Sequence, residues 1–308
     1  MSFDLYFAGA NNSATDDYFI SNNCNRLFSQ LNDRKLIQRY VQAKKDGWTG
    51  KLMIDSGAFT LHRSDKKVDV DKYIDYLNEY HDYFDYYIQL DHIPGKWGQP
   101  RTPEQNQEGA EKSWQNYLYM RAKLIEPYKL LPVFHQGENL KYLEQILEYV
   151  DEDGKHIPYI CISSSKELTT NMRIPFYEKC YDVIHKSSNP DVKVHCLGTQ
   201  SKVQCESFPF TSSDATSWII TASNGNIFTK YGSMYISDKK IDKQNHILND
   251  KVSYDILKKY FADEGFDIEK IKTDYTTRIC WDIHYLDKWS KQEYEYKGPK
   301  KFNINYLF

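Results

Sequence analysis

The chain has 308 residues with 40 Lys and Arg against 43 Asp and Glu, so it lacks the overall basicity of a protein that holds nucleic acid mainly through phosphates. Hydrophobic residues at 40% and aromatics at 15% exclude a disordered chain, and no stretch approaches the roughly 20 apolar residues that cross a bilayer. Six scattered cysteines, with no CxxC pair and no secretory leader, predict reduced thiols and a cytoplasmic setting.

Taken in order, apolar runs with strand character fall at 3–7, 51–54, 86–90, 130–134, 159–162, 192–197 and 208–211. Polar stretches with helical spacing lie between most of them, at 31–45, 70–80, 104–124, 140–149 and 174–184. Strand and helix alternate, which implies a parallel sheet covered by helices, either closed as a barrel or open and doubly wound. Asp55, Asp91, Gln136, Ser163, Gly198 and Asp214 each follow the end of a predicted strand. A barrel brings all such ends to one face, whereas an open sheet gathers ligand contacts at a switch point. The expectation is therefore a (β/α)8 TIM-like barrel. Its core spans 1–225, and 226–308 adds a hairpin near 227–237 and two helices, near 251–263 and 267–290, that close the barrel exterior within a single domain.

The segment Asp55-Ser56-Gly57-Ala58-Phe59-Thr60 places a carboxylate at a strand end before a small-residue turn where backbone can approach a ligand. Asp91 follows a second strand and precedes the loop His92-Ile93-Pro94-Gly95. Phe134-His135-Gln136-Gly137 ends another strand with an amide able to match the donor and acceptor edge of a base. Next come His195-Cys196-Leu197-Gly198-Thr199-Gln200 and then Ser212-Ser213-Asp214-Ala215. Taken singly, Asp55 and Asp214 read equally as helix N-caps, and His135 as a satisfied core histidine. Three strand-end carboxylates flanking an amide form one constellation.

That constellation resembles the tRNA-guanine transglycosylases over residues 50–220. The family's DSGGFQ motif looks like 55–60, its VQGG strand end like 134–137, its MGVGTP turn like 195–200, and its nucleophile segment like 212–215. The resemblance implies that Asp214 is the nucleophile, attacking the sugar C1′ and expelling guanine, and that Asp55 is the general acid and base. It further implies that Asp91 binds the N1-H and 2-amino edge of guanine, and that Gln136 and the Gly137 amide meet its O6 side. Phe59 would stack on the ring, with Ser56, His195 and Gly198 completing the base pocket.

The sequence departs from the tRNA enzymes twice. Their zinc motif, CxCxxC with a distant His, has no counterpart, since Cys280 and His284 stand alone; no metal and no cofactor are expected. Ser163-Ser164-Ser165 replaces an expected glycine. Both departures resemble the DpdA-like DNA-guanine transglycosylases of phages, which implies DNA and a free 7-deazaguanine base as partners, without a membrane. The Lys, Asn and Tyr richness also fits a phage or low-GC bacterial source. Reaching C1′ in duplex DNA requires base extrusion, at a few kcal/mol, and a groove for the flanking strand. Lys96, Arg101, Lys166 and Arg63, on loops after strand ends, are the candidate phosphate contacts, with solvated surface charge as the alternative reading. Three other functions stay open: a zinc-free tRNA-guanine transglycosylase, a noncatalytic nucleic-acid-binding barrel, and a barrel hydrolase acting on sugars.

Overall fold

The computed structural model describes residues 2–293 except 33, 63–67, 97, 166 and 250. The chain folds as an α/β barrel of TIM type. Its strands are β1 (Asp4–Ala8), β2 (Asn25–Ser29), β3 (Leu52–Asp55), β4 (Tyr86–Ile88), β5 (Leu130–Leu131), β6 (Val133–His135), β7 (Tyr159–Ser163), β8 (Lys193–Leu197) and β9 (Ser212–Ala215). Every pairing among them is parallel.

The run 130–134, expected as one strand, is divided by Pro132, which has no N–H to give a ladder. Its first half pairs with β4 and its second with β7. Gln89 N donates to Leu131 O at 3.0 Å and Cys161 N to Pro132 O at 2.7 Å, so the bend joins the two sheet edges and makes an eight-staved cylinder. The helices between strands are α1 (Ser13–Ser21), α2 (Arg34–Lys45), α3 (Ala58–His62), α4 (Val70–Glu79), α5 (Pro103–Lys123), α6 (Leu140–Glu148), α7 (Thr170–Lys186), α8 (Lys202–Ser207) and α9 (Ser217–Ser223).

Alternation along the strands sorts side chains into two cores. Leu5, Phe7, Leu52, Ile54, Ile160, Ile162, Val194 and Cys196 point outward under the helices. Tyr6, Leu27, Met53, Ile88, Val133, Tyr159 and Cys161 fill the cylinder, so it is packed and not a pore. Polar residues reach the interior mainly at the ends of the strands, with His195 in the middle of β8 the exception among those at the site.

Five elements went unread in sequence: the short helices α3, α8 and α9, together with β2 and α1. β2 carries Arg26 in its middle, which breaks the apolar run; its fully buried guanidinium lies 3.9 Å from the Phe19 ring and donates to Gly9 O at 2.6 Å. α1 has little apolar stripe and is held by a reciprocal cap between Asn12 and Thr15. The eighth strand lies at 212–215, not 208–211, because the stave is built from small polar residues with no strand signal of their own.

After α9 come the hairpin β10 (Asn226–Thr229) and β11 (Gly232–Tyr235), then α10 (Lys251–Asp263), α11 (Ile268–Thr273) and α12 (Tyr275–Ser290). The helical stretch expected over 267–290 is two helices, broken at Asp274, whose side chain accepts from Thr277 N and caps the second. α12 packs along β1, α1 and α9, with Trp289 edge-on to Phe3 at 5.2 Å, and so covers the barrel flank. On its other face Trp281 joins Ile227, Ile236, Phe261 and Ile271 in a separate small core.

Candidate active site at the barrel mouth

The C-terminal ends of the strands form the mouth. Asp55 is the last residue of β3, Ser163 the last of β7, Gln136 and Gly198 follow β6 and β8 directly, and Asp214 lies within β9. Asp55, Asp91 and Asp214 come from separate staves and converge. The thiol of Cys161, fully buried inside the barrel, is pushed well above its ordinary range first by burial and then by the charges of Asp91, Asp214 and Asp55.

Asp214 is not a helix cap, since Thr216 holds that position on α9. Its Oδ1 accepts from Gly198 N at 2.8 Å and lies 3.3 Å from His195 Nε2. The side chain keeps 12% of its surface exposed. His195 has no exposed surface; its Nδ1 meets Ser212 Oγ, which in turn lies 2.5 Å from the Tyr159 hydroxyl. Ser212 and Tyr159 carried no signal in sequence, because a tyrosine and a serine on different strands announce a partnership only once register aligns them.

Asp55 Oδ2 accepts from Gly57 N at 3.1 Å across the turn into α3. Gly57 has φ +77, and a Cβ there would come within 2.7 Å of the Ser29 and Leu31 side chains, so this turn needs glycine. The Ser56 carbonyl accepts from Gln30 Nε2 at 2.7 Å, and Ser56 itself is buried. Behind both strand ends, the Tyr73 hydroxyl of α4 reaches Ile88 O at 2.9 Å and Ile54 O at 3.2 Å.

Asp91 lies on a loop pinned by α5: Asn116 Nδ2 donates to Leu90 O and His92 N donates to Ser113 Oγ, each at 2.9 Å. Asp91 Oδ2 sits 2.9 Å from His135 Nε2. Burial disfavours the His135 imidazolium, yet the bond to Asp91 and the charge of Glu138 outweigh it and raise its pKa. Glu138, itself pushed up by burial, accepts from His135 N at 2.9 Å, and Arg101 acts on both groups through its charge. His135 is therefore a partner of Asp91, nearly buried and satisfied by it.

Gln136 turns its Oε1 to Ser165 N at 2.9 Å, fixing the loop after β7. Gly137 has φ +102 and lies against Asn106 of α5, whose amide a Cβ would meet at 3.0 Å. Phe59 is 40% exposed on α3. Lys96 is exposed, Arg101 half-buried, and Arg63 and Lys166 lie outside the described residues.

The residues do not fit the zinc site of the tRNA enzymes. Among the described residues no three His, Cys, Asp or Glu side chains gather as metal ligands. Cys280 lies in α12, and His284 Nε2 is 2.9 Å from Glu264 Oε2. No helix among the described residues is long and apolar enough to cross a membrane.

No protein-family model and no curated protein matches the sequence. Among solved structures the chain is similar to tryptophan synthase from M. tuberculosis, at 10% identity and a TM-score of 0.35, over 73% of this chain and 87% of that one. A likeness at that score carries no weight, and the fold rests on the strand pairings themselves.

Proposed function

We propose that the chain is a base-exchange glycosyltransferase that replaces guanine in DNA with a 7-deazaguanine through a covalent ester between Asp214 and the sugar C1′. The observation that carries this reading is the Asp214 carboxylate, held by Oδ1 within a strand while the side chain keeps exposure at the mouth, with Asp55 and Asp91 converging from other staves. A nucleophile must be fixed in orientation yet reachable, and a cap or structural carboxylate need not be.

Asp214 attacks C1′ as the C1′–N9 bond breaks, and Asp55 supplies the proton to the departing base. The incoming base then gives its N9 proton to Asp55 and displaces Asp214. Asp91, aligned by His135, faces the N1-H and 2-amino edge that guanine and 7-deazaguanines share. Gln136 acts partly through Ser165, setting the loop beside which a substituent at position 7 would lie. DNA is favoured over tRNA because the chain's residues do not fit the zinc module that lies beside bound tRNA in the resembled enzymes.

The test is incorporation of labelled guanine into duplex DNA, single-stranded DNA and bulk tRNA under one set of conditions. Incorporation into DNA is expected. Incorporation confined to tRNA would shift the acceptor and spare the chemistry, and none into any polymer would end the reading.

A further inference from the structure

We infer that His195 is a positioning residue for Asp214: it donates from Nε2 to Oδ1, reserves Oδ2 for attack, and favours breakdown of the glycosyl ester. The inference rests on the glycosyl-transfer reading above for its chemistry, and on hydrogen bonding alone for its geometry.

The direction of the chain of bonds follows from its Asp214 end. As the attacking carboxylate, Asp214 offers only acceptors, so the His195 ring hydrogen sits on Nε2, facing Oδ1 at 3.3 Å. Nδ1 is then an acceptor and takes the single hydrogen of Ser212. The Ser212 oxygen in turn accepts from the Tyr159 hydroxyl. The opposite tautomer would set a nitrogen lone pair against a carboxylate oxygen. Having no exposed surface, His195 acts through Asp214 and does not touch the base.

Both donors at Asp214, Gly198 N and His195 Nε2, meet the same oxygen. In the first step a lone pair of Oδ2 forms the bond to C1′, the C1′–N9 pair passes to N9, and Asp55 protonates that nitrogen. Asp214 is then a neutral ester whose carbonyl oxygen is Oδ1. In the return step the N9 proton of the incoming base goes to Asp55, its electron pair forms the new C1′–N9 bond, and the C1′–Oδ2 pair returns to Asp214. Hydrogen bonds to a charged acceptor are stronger than those to a neutral one, so the donors at Oδ1 favour the carboxylate over the ester. They restrain the first step slightly and speed the second.

Two measurements on the intact chain test this. Nitrogen-15 spectra of histidine-labelled protein should give His195 the Nε2–H tautomer, with its Nε2 signal moving in Asp214→Asn; an Nδ1–H tautomer would overturn the inference. In Ser212→Ala, which frees the tautomer, the share of chain covalently attached to a guanine-containing oligonucleotide at steady state should rise about fivefold over wild type, the ratio expected for one hydrogen bond of ordinary strength. Ser212→Thr should restore it. Adduct falling in step with turnover would mark a merely structural role and refute the inference. Tyr159→Phe, which removes the donor without emptying the barrel, is the second variant should Ser212→Ala fold poorly. If wild type forms no adduct with any polymer, the glycosyl-transfer reading falls, and the tautomer alone decides whether His195 holds Asp214.

Discussion

Asp214 at the barrel mouth and Asp282 in the C-terminal helical module are both buried aspartates, and they differ in what surrounds the second oxygen. Asp282 is fully buried in α12; its Oδ1 accepts from Phe228 N at 2.8 Å, and its Oδ2 has no partner. Burial pushes that carboxyl well above its ordinary range, with the Phe228 amide and Arg278 opposing. Asp214 has two donors on one oxygen and an accessible remainder. The first arrangement fastens a hairpin to a helix, while the second presents a fixed charge to a cleft. Burial alone does not separate a structural acid from a chemical one; the count of donors and the access of the free oxygen do.

The sharpest way to break the contrast is to exchange each carboxylate for its amide. Asp214→Asn should lower base exchange by at least about a thousandfold, the scale of removing a nucleophile, with the melting temperature nearly unchanged. Wild-type exchange in that variant would return Asp214 to the structural class beside Asp282. Asp55→Asn should fall between them, because proton transfer and attack are separate roles. Turnover should drop by about 10²–10⁴, with covalent capture of the sugar partly retained. Loss of capture equal to loss of turnover would show that Asp55 is needed for attack itself.

The module's hairpin and helices were legible in sequence, and so was the mouth, but the buried acid of the module was not. Asp55 and Asp91 each terminate or closely follow a hydrophobic strand, and a barrel converts that position in the chain into a position in space. The fold followed from seven such strands. The eighth stave was misplaced by four residues because Ser212-Ser213-Asp214-Ala215 has neither apolar alternation nor β-branched residues, and its inward Ser212 is satisfied by His195 and Tyr159 instead of by packing. β2 stayed hidden behind Arg26, a buried cation made tolerable by the Phe19 and Phe28 rings, the Gly9 carbonyl and the Asp16 carboxylate 4.0 Å away. Asp282, mid-helix among ordinary helical residues, offered no cue at all, since its partner Phe228 is 54 residues away.

A smaller effect should distinguish the two regions by charge. Lys96 is exposed near the mouth, and Arg101 sits within electrostatic reach of His135 and Glu138. In the module, Lys272 is already paired with Asp238 and Glu269. Replacing Lys96 and Arg101 together with Ala should weaken DNA binding and reduce the slope of log affinity against log salt by about 2, roughly one for each phosphate that is no longer neutralised. Lys272→Ala should leave the slope alone. Equal effects from both changes would mean that DNA is held by diffuse charge and not at the mouth.

The smallest effect concerns Asp282, and its sign discriminates. The folded carboxyl holds its proton to higher pH than the unfolded one, whose ordinary value is about 3.9. Between those two values the folded state binds more protons, so stability falls as pH rises through that window and is greatest below it. Asn at 282 keeps an oxygen for the Phe228 amide and cannot ionise. Near pH 4 the Asp282→Asn variant should match wild type within about 1 kcal/mol in urea unfolding, since one unpartnered polar atom replaces another. With rising pH the variant should gain on wild type, up to the folded-state pKa, while base exchange is unaffected throughout. A variant that loses ground as pH rises would mean that the Asp282 carboxylate is stabilised as an anion, by Arg278 above all, and that the contrast with Asp214 does not lie in burial of an uncompensated acid.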